Sequence, residues 1–335
     1  MAKHSFASYA VRIRKNREKG YLALDNFDGA GADLLKEFYG FLLHLEDRPY
    51  EIPKKERSLE AHGIRQENRA LYVKLAHGLF GAQSRIRERL TGAVVFRKEE
   101  DHVDLTDLRN YMILPGNSTA GLLFTERFQG NGVIASLSEA FKKAFSAKFS
   151  GYTLEINSMT SEAAFGVYLE SGELRKIRLV RHAIPHDVAD ALGLGDNERN
   201  LGSLEVVLRP PRLTSFRKQM IQRVISGEAD VSSMLEWRDV EFGEMKVEVK
   251  IANSTRTLSV SSGATPAMLY DLDAELKKEG VGATLTDEWV YAKAKELAED
   301  LGQTMGLGAD LMRREFEWPE LWDRYRLEVP DDPND

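Results

Sequence analysis

Residues 111–145 read YMILPGNSTAGLLFTERFQGNGVIASLSEAFKKAF. Tyr111 to Leu114 is a short apolar run, Pro115-Gly116-Asn117-Ser118-Thr119 carries turn chemistry, and Gly121 to Thr125 is a second apolar run. Two such runs around a turn predict neighbouring strands. Gly130-Asn131-Gly132 then breaks the pattern, and the spacing from Val133 to Phe145 predicts a helix. Outward from this stretch, strands and helices mix without a regular βαβ rhythm. The expected fold class is therefore α+β, with mixed or antiparallel sheets and packed helices.

Upstream, Tyr9 to Ile13 alternates as a strand. Gly20 to Leu24 is expected to pair back to it through the basic turn from Arg14 to Lys19. Asp33 to Leu45 reads as a helix, with Leu34, Leu35, Phe38, Phe41, Leu42 and Leu45 on one face. Arg48 to Asn68 is polar and holds two prolines, so it reads as a surface loop. Residues 70–80 and 92–97 read as strands around the basic segment Arg85 to Arg89. Downstream, strands are expected over 152–156, 175–180 and 204–208, with helices over 185–192 and 213–224. Lys246 to Ile251 and Arg256 to Val260 form an expected hairpin. Thr265, with Pro266 at the first helical position and Gly280 at the end, punctuates a helix, and another runs from Asp287 to Met305.

The chain has 335 residues, a formal charge of −7 and no cysteine. Without thiols, disulfides, thiol catalysis and cysteine-ligated zinc or iron–sulfur sites are excluded. No run approaches the roughly 18 apolar residues of a membrane span, and no signal-like stretch opens the sequence. A cytoplasmic location without membrane association is the expectation. The net charge is unevenly spread: residues 1–226 sum to +6 and 227–335 to −13. The change falls near Gly227 to Ser233, a plausible linker. It suggests a basic α+β body over 1–226, with a subdomain split near 100–110. A smaller acidic α+β domain over 227–335 would hold the hairpin and two helices, and a frayed tail over 330–335.

Charge asymmetry of this kind points to a polyanion partner for the basic part. Four arginine-rich clusters carry that reading: Arg12, Arg14, Lys15 and Arg17; Arg85, Arg87 and Arg89, whose alternation puts three guanidinium groups on one face of a strand; Arg175, Arg178 and Arg181; and Arg212, Arg217 and Lys218. Planar guanidinium suits two-pronged phosphate contact. The competing reading of each cluster is a solvated face balanced by neighbouring carboxylates.

Catalytic signatures are sparse. Arg181 and His186 resemble, in spacing, the Arg-x4-His pattern of HEPN-type ribonucleases, where a base near neutrality stands beside a cation. Here the preceding residues read as a strand and Pro185 intervenes, so His186-Asp187 capping a helix competes with catalysis. Asp239, Glu248 and Lys250 resemble the restriction-nuclease arrangement, in which carboxylates hold Mg²⁺ and lysine polarises water. An exposed charged strand face is the competing reading. Gly29-Ala30-Gly31 lacks the third glycine of a dinucleotide fingerprint, and Gly130-Asn131-Gly132, between a strand and a helix, could meet a phosphate at the helix N-terminus or simply reverse the chain. No cofactor and no metal set is expected, Mg²⁺ entering only with the nuclease reading.

Taken together, the residues predict an intracellular nucleic-acid-binding protein of prokaryotic or phage type. The acidic region would serve partner contact or autoinhibition. A metal-dependent nuclease is one alternative. The other is a non-catalytic assembly component using Trp289, Phe316, Trp318 and Trp322 as anchors.

Overall fold

The computed structural model describes residues 4–159, 173–181, 204–211, 216, 223, 244–251, 254–261, 267–280, 284–304, 307 and 315–330. The fold is α+β with antiparallel strand pairing, and four α-helices occur among the described residues. The chain resolves into two compact units, one of residues 1–157 with 272–335 and one of 158–271. The expected boundary at 226/227 falls outside the described residues, and residues 272–335 belong with the N-terminal unit.

In the first unit the chain runs β1 (His4–Lys15), α1 (Leu34–Asp47), β2 (Tyr50–Ile52), β3 (Arg57–Glu67), β4 (Ala70–Leu79), β5 (Ser84–Arg87), β6 (Val94–Lys98), β7 (Asp104–Ile113), β8 (Gly121–Phe128), β9 (Asn131–Gly132), α2 (Ile134–Lys148) and β10 (Tyr152–Ser158). Its sheet has the order β1-β8-β7-β4-β3-β2, with β10 on β1 and β9 on β8. Strand side chains alternate between faces, and both faces are used. Val11, Ile13, Leu71, Val73, Leu75, Leu108, Met112 and Leu123 join Phe38, Phe41, Leu42, Phe141 and Phe145 of the two helices in the main core. Asp33 caps α1 by accepting the Leu35 amide and also takes two hydrogen bonds from Arg69.

The second unit pairs β11 (Glu173–Arg181) with β12 (Leu204–Leu208) on one side and β13 (Glu244–Ile251) on the other. β14 (Ser254–Ser261) and β15 (Ala267–Asp271) follow in order. Beyond it, α3 (Leu272–Glu279) and α4 (Asp287–Thr304) return to the first unit.

Three local readings are corrected. Residues 50–67 are not a loop but β2 and β3. Leu59 and Ala61 are buried while Arg57, Glu60 and His62 around them are half-buried, a pattern that the surrounding charges hide. Gly20 to Leu24 forms no strand, only an Arg14–Tyr21 bridge, because β8 and β10 are the partners of β1. The expected helix from Thr265 begins only at Leu272, since Ala267 to Leu269 pairs in register with β14. Here a tertiary partner overrides a well-punctuated helix start.

Candidate nucleic-acid interface

Strands β4 and β7 are paired from Ala70 opposite Ile113 to Leu79 opposite Asp104. The residues between these last partners leave the sheet as an arm. Within it β5 and β6 form a separate two-stranded sheet whose residues are exposed on both faces, apart from half-buried Lys98. Gly81, at φ +83°, starts the excursion where a Cβ would run into the Glu56 carboxylate. At the tip the Gly92 amide donates to the Glu88 carbonyl and the Glu88 amide to the Ala93 carbonyl, and Gly92 has φ +77°. Such a backbone favours glycine.

The register sorts the arm into two faces. Arg85 lies opposite Arg97, and Ile86 lies opposite Phe96. Arg87 follows Arg85 on the same face and lies opposite Val94, giving a guanidinium stripe there, while Ile86 and Phe96 share the other face with Ser84 and Lys98. Like charges directly opposite one another destabilise a strand pair. None of Arg85, Arg87, Arg89 and Arg97 makes an ion pair among the described residues. The one acid between Ser84 and Lys98, Glu88, accepts a hydrogen bond from the Thr91 hydroxyl. The pairing shifts between Ile86 and Arg87, leaving Val95 unopposed. A bulge of this kind adds twist and discourages edge pairing with another strand.

The other basic clusters differ. Arg14 pairs with Glu155 at 2.5 Å, Lys15 with Glu18 at 3.3 Å, and Arg12 lies over the Tyr21 ring. Strand register also puts this cluster at the far end of the sheet. Val11 pairs with Gly121 and Ile113 with Leu122, whereas the arm leaves from Asp104. The first two clusters therefore do not converge. In the second unit Arg175 pairs with Glu173, while Lys176 and Arg178 both reach Glu248, at 2.6 and 3.4 Å. Arg181 ends β11. Arg212, Arg217, Lys218, His186 and Asp239 lie outside the described residues. Glu248 and Lys250 share β13, and the Glu248 carboxylate is held by the two cations of the neighbouring strand. Among the described residues no three acidic or histidine side chains are grouped to hold a metal ion.

No protein-family model and no curated protein matches the chain.

A second assembly of charges escaped the sequence reading. On the sheet face away from α1 and α2, Glu126 is 1% exposed. It takes hydrogen bonds from the Arg109 guanidinium at 3.0 and 3.1 Å and from the Arg109 amide, and meets His4 Nδ1 at 2.7 Å. Arg109 also donates to Asp287 at the first turn of α4, and Lys74 lies 2.5 Å from the same carboxylate. Burial opposes ionisation of Asp287, but the Lys74 and Arg109 hydrogen bonds outweigh it and hold the carboxyl below its usual range. Asp287 also suits the positive end of the helix dipole. Tyr72 and Tyr291 pack edge to face beside this layer, and burial pushes both phenols up. Every ion in the layer has a partner, so it fastens α4 to the sheet.

The acidic C-terminal third contributes to this fastening. Asp287 serves Arg109 and Lys74, Asp323 accepts the Tyr39 hydroxyl, and Asp273 accepts the His4 amide. Of the expected anchors, Phe316, Trp318 and Trp322 pack on one another and against the main core, and Trp289 donates to Glu279. No helix of the described residues is long and apolar enough to cross a membrane.

Proposed function

We propose that the protein binds nucleic acid through the arginine-bearing arm of residues 84–98. One observation carries the reading: Arg85 and Arg97 face each other across a strand pair, with Arg87 beside them, and among the described residues no carboxylate pairs with any of the three. Arg14, Arg69, Lys74 and Arg109, by contrast, each have a carboxylate partner. Here three guanidinium groups are exposed on one face, an arrangement that an external polyanion stabilises. The arm residues carry five cations against one acid, and an isolated hairpin of this size is only marginally stable in water, so a partner that neutralises the stripe would also order it.

Affinity in this reading comes from phosphate contacts and falls linearly with the logarithm of salt, at about 0.9 per contact on B-form duplex. Three or four arm contacts would give a slope of roughly −3 to −4. A gel-shift or anisotropy titration between about 50 and 200 mM salt tests it. No binding at low salt, or an affinity unchanged across that range, would sink the proposal.

A further inference from the structure

The arm carries more than charge. Ten large apolar side chains are exposed among the described residues, and seven of them (Leu79, Ile86, Leu90, Val94, Val95, Phe96 and Leu105) lie on the arm or at its base. Scattered exposed leucines need no explanation, but apolar surface gathered in one place marks an interaction site. Leu90 is the extreme case. It is 90% exposed at the very tip, between Arg89 and the small residues Thr91, Gly92 and Ala93.

We infer that the arm deforms duplex DNA, with Leu90 entering a base step from the minor groove while the guanidinium stripe holds the flanking phosphates. This rests on the nucleic-acid reading above and commits it to one ligand. The choice follows from charge and shape. A cationic arm brings its tip against a polyanion, and in a duplex the only apolar surface that can take a leucine is the base stack. Apolar wedges flanked by basic residues unstack base steps in this way and kink the duplex by roughly 20–90°. Three of the tip's residues have small side chains, which limits the bulk that must enter a B-form minor groove of about 6 Å. An A-form duplex offers a wide, shallow minor groove and a major groove too narrow to read, so RNA duplexes fit the tip less well. Flexible TA steps cost least to open and are the expected position of the kink.

The experiment uses the full chain and a duplex of about 30 base pairs, a length that a kink of this size shortens measurably end to end. It carries a fluorophore pair at its ends and 2-aminopurine beside a central TA step. Anisotropy on the same duplex reports binding separately. The wild type is expected to raise both energy transfer and 2-aminopurine emission on binding. Leu90→Ala is expected to lose both signals even at protein concentrations that saturate the anisotropy, and Leu90→Met to restore them. Binding with no change in either signal, or a Leu90→Ala variant that bends as the wild type does, overturns the inference and leaves the nucleic-acid reading standing. Tighter binding to single strands or to duplex RNA overturns it in the same way. Absence of binding to every nucleic acid at low salt overturns both.

Discussion

The charged layer under α4 and the arm between β4 and β7 use the same residue types to opposite ends. In the layer Arg109 has Glu126 and Asp287, Lys74 has Asp287, and little of Glu126 meets solvent. On the arm Arg85, Arg87 and Arg97 are exposed and have no carboxylate partner among the described residues. A buried charge must be paired, since its desolvation is costly. An exposed one has no such need, and placing two arginines face to face has a cost. The pairing state of a cation, rather than its presence in a basic cluster, is what differs between the layer and the arm.

The largest test of this contrast is Glu126→Ala. Removing the buried Glu126 carboxylate leaves Arg109 with Asp287 alone and takes away the partner of His4, and unfolding in urea is expected to lose about 3 kcal/mol. A loss under about 1 kcal/mol would show that the layer is not the fastening argued here. Next comes the double variant Arg85→Ala with Arg97→Ala. Its salt slope for duplex binding should fall by about 2, while its urea midpoint stays at or slightly above the wild-type value because a like-charge pair is relieved. An unchanged slope would place the interface elsewhere.

Acid sharpens the same comparison. The Asp287 carboxyl is depressed in the folded state, so its contribution is fully present above the unfolded value of about 3.9 and is lost as pH falls through the folded one. Urea stability of the wild type should therefore drop below about pH 4, and Asp287→Asn should flatten that part of the profile. The smallest effect is expected from Arg14→Ala. Its pairing with Glu155 is partly solvated, so it should cost at most about 1 kcal/mol and leave the salt slope unaltered. A reduced slope would return the first basic cluster to the interface.

Much of the fold was legible where one face of an element carries the signal. The helices at 34–47 and 287–304 and the hairpin at 244–261 follow from periodicity and punctuation close to their observed bounds. β3 was not legible, because Arg57, Glu60, His62 and Arg65 on its wetter positions outweigh Leu59 and Ala61 in a linear reading. The arm was half legible. Arg85 and Arg87 were read on one strand face, but Arg89 sits in the turn beyond β5. Arg97 joined the stripe only through strand register, and nothing in the order of residues shows that Leu90 meets no core. Glu126 gave no warning either: a carboxylate between Thr125 and Arg127 looks solvated until the β7 partner and the α4 cap close over it.

The sequence by itself determined the α+β class, the absence of thiol chemistry and the set of arginines from which an interface had to be drawn. Those are properties of composition and short-range pattern. Tertiary structure decided which arginines are spent inside the protein and which face outward. It also assigned residues 272–335 to the N-terminal unit, a partition that the charge profile alone did not show. The reason is that desolvation and pairing depend on what lies across a sheet or beneath a helix, in residues such as Arg109 and Asp287 that stand far apart along the chain.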